Sequence, residues 1–309
     1  MRLRTTLALT GALCSALLPA AAAHADTPSA KTYNVWQWNV AGDSIHDGST
    51  TDKLVTEATA SIEYRKADFA GFNELCQNQY DEIVKQLRAD GWPEDPQNFA
   101  RFAPSRAAGN PAVCQGNAFG NAVFSKKPLG SADRLTLPSD GTTEDRNLLC
   151  APLTDGSRTR FCTTHITTKT DFSASQLDYV RGKLDGYHTA GDTVLIAGDF
   201  NAQPNYGRLN SFYAPSANTV NNPNNTGAFR ELDDNDAAHC AGYGERTTET
   251  SATTPPPCGT EAKIDLIFVR ESDLAGPYSA DSLAISTECT GVSACSDHRI
   301  LTGTVTVTT

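Results

Sequence analysis

The chain has 309 residues, enough for one large core or two smaller domains, and no Pro/Ser linker, repeat or low-complexity block divides it. One domain is therefore expected over residues 26–309. The formal net charge of −11 excludes a broad basic footprint for tight nucleic-acid binding, yet leaves catalysis open, because an enzyme needs only a local phosphate site to which a bound cation can add positive charge.

The N-terminus reads as a secretory signal peptide, residues 1–25. Met1-Arg2-Leu3-Arg4 carries the positive charge, Leu7 to Leu18 is apolar, and Ala23-His24-Ala25 is a small-x-small cleavage site. The apolar run is shorter than the roughly 20 residues that span a bilayer, and no later segment comes close, so a secreted, extracellular protein without a membrane anchor is expected. Removing the leader takes away Cys14 and leaves Cys76, Cys114, Cys150, Cys162, Cys240, Cys258, Cys289 and Cys295. An even set in an exported chain reads as a disulfide framework. Zinc is disfavoured, because no Cys-x-x-Cys occurs and no cysteine pair sits beside a His pair at ligand spacing. Cys150 and Cys162 flank the turn signal Asp155-Gly156 between two strand-like runs. Pairing in sequence order, 76–114, 150–162, 240–258 and 289–295, is the expectation.

Tyr33 to Val40 alternates and is rich in aromatic and branched residues, which predicts a strand. Thr51 to Arg65 has helical spacing at Leu54, Ala58 and Ile62. Phe69 to Leu75 is strand-like, and Tyr80 to Leu87 is a helix closed by Asp90-Gly91. Strands follow at Asn121 to Ser125, Asn147 to Leu153 and Arg160 to Ile166. A helix runs from Ser173 to Tyr187, and Thr193 to Ala197 is a near-continuous apolar run of the kind buried on both faces. Thr247 to Pro257 reads as a surface loop stapled between Cys240 and Cys258, and Lys263 to Val269 and Arg299 to Val307 close the series as strands. The order predicts an α/β protein of two packed sheets with helices outside.

Polar residues recur at the ends of these strands: Asn39, Glu74, His165, Asp199 with Asn201, and Asp297 with His298. A carboxylate after an apolar strand is often only a cap or turn former, but recurrence at five strand ends points to a ligand site. Hydrolysis of a phosphate ester needs a hard cation on the non-bridging oxygens, an activated water in line with the leaving group, and donors for the developing charge. Carboxylates and amide oxygens suit Mg²⁺, with Mn²⁺ and Ca²⁺ as alternatives, and imidazoles serve as acid and base near neutrality. His46, His188 and His239 lie outside strand ends and are expected at the surface.

Gln37-Trp38-Asn39, Phe72-Asn73-Glu74-Leu75, Asn121 to Lys126, Thr164-His165, Gly198-Asp199-Phe200-Asn201, Ile264 to Ile267 and Ser296-Asp297-His298 occur in the order of a known family. The chain thereby resembles the endonuclease/exonuclease/phosphatase superfamily, which includes DNase I, AP endonucleases, sphingomyelinases and inositol-phosphate phosphatases. The resemblance implies a DNase I-like four-layer α/β sandwich, two packed mixed β-sheets flanked by helices. It implies Glu74 as principal metal ligand with Asn39 and Asp297 nearby, and Asp199 and Asn201 as the residues that orient the attacking water and hold the scissile phosphate. It further implies His298 as the catalytic imidazole with Asp265 fixing its tautomer, His165 as a second acid/base or phosphate contact, and Arg146 as a phosphate contact. One departure stands out. DNase I supports its first His with an acid near the strand that here reads Phe119-Gly120-Asn121-Ala122, where this chain has none. Either Asn121 substitutes by hydrogen bonding, or His165 works without a carboxylate partner.

The expected activity is a secreted, metal-dependent phosphodiesterase with nucleic acid as substrate, DNA foremost, acting as a monomer. The rival is a sphingomyelinase-like phospholipase C or a phosphomonoesterase. A membrane-acting member would show an exposed apolar hairpin, for which only Trp92 and Phe99 to Phe102 leave room. A catalytically dead binding protein would have lost a motif residue, and none is lost.

Overall fold

The computed structural model describes Met1 and residues 29–93, 98–252 and 254–309. Apart from Met1, the expected leader lies outside the described residues. Among the described residues, twelve strands form two six-stranded sheets. The first has the order β11 (Leu274–Leu283), β12 (Ile300–Thr308), β1 (Ala30–Asn39), β2 (Phe69–Cys76), β4 (Phe119–Ser125), β3 (Ala100–Arg106). The second has the order β5 (Asp133–Thr136), β6 (Asn147–Pro152), β7 (Thr159–His165), β8 (Thr193–Asp199), β10 (Asp265–Arg270), β9 (Phe229–Glu231). Each sheet has one parallel pair near its middle, β1 with β2 and β7 with β8, and is otherwise antiparallel.

Period-two alternation sorts side chains into layers. Along β1, Tyr33 and Val35 point between the sheets, while Trp36, Trp38 and the following Val40 point outward. The outward row packs on Leu54, Ala58 and Ile62 of α1 (Leu54–Tyr64) and Ile83 and Leu87 of α2 (Gln77–Ala89). On the second sheet, Leu148, Ile196 and Phe268 face Leu177, Val180 and Leu184 of α3 (Thr170–Thr189). Leu149, Phe161, Leu195, Ile267, Leu301 and Val305 fill the space between sheets. Helices, sheet, sheet and helix make the four-layer α/β sandwich that the motifs imply. Trp92, Phe99 and Phe102 belong to the core beneath α1 and α2, so they form no exposed hairpin.

The four disulfides join Cys76 to Cys114, Cys150 to Cys162, Cys240 to Cys258 and Cys289 to Cys295, in sequence order. Cys150 and Cys162 are register partners across β6 and β7, with Gly156 at φ +83° in the connecting turn. The segment after Thr247 departs from a plain surface loop. Thr247 and Thr248 are buried, because the Thr247 hydroxyl accepts the Ile264 and Asp265 amides at 2.9 and 3.0 Å.

Candidate functional site

The row of side chains between the sheets is apolar along most of each strand and turns polar at one end. Tyr33 and Val35 give way to Gln37 and Asn39, Phe69 to Asn73, Val123 to Asn121, and Leu149 to Asn147. On the remaining strands Phe161 gives way to Thr163 and His165, Leu195 to Asp199, and Ile267 to Asp265. Register brings these ends together. His165 is opposite Asp199, Asp199 is opposite Asp265, and Asn39 is opposite Asn73.

Glu74 reaches the same end by a different route. Alternation would send it outward with Ala70 and Phe72. Its φ of +56° and a register shift between Phe72 and Leu75 against β4 turn the strand by one residue, so Leu75 joins the outward core and Glu74 faces the centre. There Oε1 of Glu74 accepts from Nδ2 of Asn39 at 3.0 Å. The same amide nitrogen donates to Oδ2 of Asp199 at 3.1 Å, while Oδ1 of Asn39 takes the Ala41 amide at 3.2 Å.

Each residue of Gly198-Asp199-Phe200-Asn201 has a separate reason to be there. A Cβ on Gly198 would lie 2.1 Å from the Thr164 carbonyl oxygen. Phe200 anchors the turn in the core under α3. Asn201 adopts φ +45°, which Asn tolerates better than most residues. Its amide donates to Oδ1 of Asp199 at 2.8 Å, and its Nδ2 to the Ile166 carbonyl at 2.8 Å.

Ser296-Asp297-His298 closes the opposite side. The Ser296 hydroxyl donates to the Asn39 carbonyl at 2.7 Å and accepts the His298 amide at 3.0 Å, and Trp38 Nε1 donates to the His298 carbonyl at 2.9 Å. Nδ1 of His298 lies 2.8 Å from Oδ2 of Asp265, and its Nε2 lies 3.8 Å from Oδ2 of Asp199. Nε2 of His165 stands 3.4 Å from that same Asp199 oxygen and 3.9 Å from Glu74. Asp297 is exposed beside His298. Arg146, just before β6, pairs with Glu144 at 3.1 Å, both side chains nearly buried. Its Nε has no hydrogen-bond partner among the described residues.

These environments drive the two imidazoles apart. Burial lowers the pKa of His298, but the Asp265 carboxylate in hydrogen-bond contact outweighs it and lifts the value to about 10. Complete burial, with the charges of Arg146 and His298, holds His165 well below the usual range. Burial, with the neighbouring Asp265 charge, raises Asp199 to about 7. One cationic and one neutral imidazole flank a carboxylate poised near neutrality, a combination suited to proton transfer and to stabilising negative charge. The donor set also fits a hard divalent cation. Glu74 and Asp297 offer carboxylates at the rim; ligand atoms of Asp199, Asp265 and His298 lie within 4.8 Å of one another, a set to which the imidazole contributes only when neutral, and Oδ1 of Asp265 is buried without a hydrogen-bond partner among the described residues.

All nine sequence-predicted positions stand at this end of the sandwich or on its rim. The residues that sequence reasoning missed lie beneath them. Asn73 accepts from Gln37 at 2.7 Å and from the Asp199 amide at 2.8 Å, and donates to Asn121 at 2.9 Å and the Thr164 carbonyl at 3.0 Å. Asn121 passes the chain to Asn147 at 2.9 Å. This buried amide relay fixes the spacing of the two sheets under the site, and its one signal in the sequence was an Asn at the inward register of consecutive strands. Asn121 is committed to that relay and does not support His165, whose carboxylate neighbours are Asp199 and Glu74. His46 also departs from expectation. It is buried, with Nδ1 2.6 Å from Asp52 and Nε2 2.9 Å from the Cys295 carbonyl, because the C-terminal disulfide segment folds over it.

Comparison with curated proteins finds no match. Among solved structures, the human Nocturnin catalytic domain with bound sulfate anion superposes with a TM-score of 0.62 at 15% identity, covering 91% of this chain and 98% of that one. An endonuclease/exonuclease/phosphatase protein from Beutenbergia cavernae gives 0.59 at 18% identity, with 89% and 72% covered. D. rerio TDP2 complexed with single strand DNA product gives 0.57 at 18% identity, with 88% and 98% covered. At these identities the likeness is one of fold. The Endonuclease/Exonuclease/phosphatase family model matches residues 36–298, and the chain belongs to that family of phosphoester hydrolases.

Proposed function

We propose that this protein is a secreted, divalent-metal-dependent phosphodiesterase that acts on nucleic acid, DNA foremost, by in-line attack of water on phosphorus. The observation that carries the reading is the convergence of His298 with Asp265, His165, Asp199 and Glu74 at one end of the inter-sheet layer. Glu74, with Asn39 at 3.0 Å and Asp297 from the exposed rim beside His298, would hold the cation. Mg²⁺ is the first candidate, and Mn²⁺ and Ca²⁺ suit the same oxygen donors. When bound, the cation neutralises the non-bridging phosphate oxygens.

The chain's own groups do the rest. Asp199 takes the proton of the attacking water as its oxygen bonds to phosphorus and the bond to the ester oxygen breaks, the leaving oxygen taking a proton from solvent, and Asn201 holds that water and the phosphate in line. His298, kept cationic by Asp265, donates to the phosphate as charge develops. Arg146 neutralises a second phosphate oxygen, and neutral His165 hydrogen-bonds the same group. The single strand DNA product complexed with D. rerio TDP2, a protein of similar fold, supports nucleic acid as the substrate class. The leader-like N-terminus and the four disulfides support secretion. The burial of Trp92, Phe99 and Phe102 removes the feature that most favoured a membrane substrate.

The test is purified protein with Mg²⁺, Mn²⁺ or Ca²⁺ on plasmid DNA, single-stranded DNA, RNA, sphingomyelin and p-nitrophenyl phosphate. Cleavage of DNA that stops with EDTA is expected. Undiminished activity in EDTA would sink the metal mechanism, and turnover of sphingomyelin or the monoester alone would transfer the site to the rival substrate class.

A further inference from the structure

On the Asn201 side of the centre, the loop after β8 and the segment leading into β10 line an open cavity of ≈ 520 Å³. Its walls include Thr168, Thr170, Asn205, Tyr206, Arg208 and Ile264. Asn201 lines the same cavity, and Ile264 directly precedes Asp265, so the cavity adjoins the centre on this side.

The walls are unusually specific for a loop. The Arg208 guanidinium carbon sits 4.5 Å from the centroid of the Tyr206 ring, and Nη2 of Arg208 donates to the Asn201 carbonyl at 2.9 Å. The Tyr206 hydroxyl accepts from Gln203 at 2.6 Å, and Gln203 in turn accepts from the buried Tyr243 hydroxyl. Those bonds hold the stack from below. Two polar atoms of this wall are left idle: Nε of Arg208, a donor, and Oδ1 of Asn205, an acceptor, are buried without hydrogen-bond partners among the described residues.

A ligand that completes this wall needs a flat face for the stack, an acceptor for Arg208 and a donor for Asn205. A phosphate ion supplies acceptors alone, and an acyl chain supplies none of the three. A nucleoside supplies all of them. We propose that this cavity is the subsite for the nucleoside esterified to the scissile phosphate, its base lying against the Tyr206–Arg208 stack while the Asn205 and Arg208 side chains turn to meet its polar edge. The proposal rests on the phosphodiesterase reading and narrows it to nucleotide substrates. A base held in a cavity is outside a duplex stack, so single-stranded or terminal nucleotides are favoured. It also resolves a tension in composition, since an acidic chain can bind nucleic acid through one stacking pocket without a basic groove.

The experiment compares the 5′- and 3′-p-nitrophenyl phosphate esters of thymidine with bis(p-nitrophenyl) phosphate, using wild type, Tyr206→Leu and Arg208→Ala, each checked for an intact thermal transition. Wild type is expected to prefer at least one thymidine ester, and both variants to lower the ratio of kcat/KM for thymidine ester over bis(p-nitrophenyl) phosphate by about tenfold, through KM. Equal loss on both substrates, or no loss, overturns the subsite. Equilibrium dialysis of deoxyadenosine 5′-monophosphate in EDTA provides a readout independent of turnover. Saturable binding weakened about tenfold by Arg208→Ala supports the pocket, and no saturable binding, or equal binding by the variants, refutes it. Nucleotide binding that depends on Arg208 in a protein that hydrolyses no diester would refute the phosphodiesterase reading and leave the pocket standing.

Discussion

Lys263→Met tests how much the frame behind Asp265 depends on one buried charge. Nζ of Lys263 lies 2.7 Å from Oδ2 of Asp233 and 3.0 Å from Oε2 of Glu231, and all three side chains are fully buried. Asp233 has further support from the Glu245 amide at 2.6 Å, but its Oδ1 has no partner among the described residues. Met keeps the length and apolar stem of Lys and removes the cation between the two carboxylates. Breaking a buried ion pair from one side costs about 3–5 kcal/mol, which at about 2–4 °C per kcal/mol for a chain of this size is a fall in Tm of roughly 6–20 °C. The loss is pH-dependent with a definite sign. Burial raises Glu231 to about 7 even beside Lys263, and removing the cation raises it further. A carboxyl whose folded pKa exceeds its unfolded value loses stability as pH climbs between the two, so the deficit is larger at pH 8 than at pH 5. Urea unfolding with the disulfides intact, run at both pH values, measures it. A deficit below about 1 kcal/mol at pH 8, or one that grows on acidification, would show that the triad does not hold this frame. Adding Glu231→Gln should recover part of the loss.

Other expectations follow from the same geometry. His298→Ala and Asp199→Ala should abolish turnover while leaving the thermal midpoint nearly unchanged, and full activity in either variant would remove that residue from the mechanism. Ser296→Ala deletes the hydroxyl that joins the Asn39 carbonyl to the His298 amide. It should cost about 1–3 kcal/mol in urea unfolding and lower kcat more than it raises KM; an unchanged kcat would make Ser296 structural only. Burial tends to raise Asp140, but hydrogen bonds from Thr142 and Thr167 outweigh it and bring the carboxyl to about 2. A depressed folded pKa gives stability that is present above the unfolded value and lost as pH falls toward 2, so Asp140→Asn should be less stable than wild type at pH 6 and converge with it near pH 2. A deficit independent of pH would refute that assignment.

The strands that sequence patterning missed are β3, β5, β9 and β11, which are the four edges of the two sheets. Edge strands bury one flank at most, and these are short or interrupted, with Pro104 in β3, Gly276 and Pro277 in β11, and three residues in all of β9. Interior strands must satisfy neighbours on both sides and both faces, so β1, β2, β4, β6, β7, β8, β10 and β12 carry the strong patterns. The site was legible for a related reason: Asn39, His165, Asp199 and Asp265 each break an apolar row at an interior strand's end, where a polar side chain is costly without a purpose. What stayed hidden depends on contacts that no local pattern encodes. His46 is buried by a carbonyl 249 residues away in sequence, and although Glu74 itself was legible, the bulge in β2 that turns it to the centre was not. The Tyr206–Arg208 wall lies in a loop with no periodicity at all. Those hidden features are also the ones that differ most readily between members of one fold, since loops and bulges can change without disturbing the interior strands. The reaction type is thus written in the strand ends, and the choice of substrate in the irregular segments that flank them.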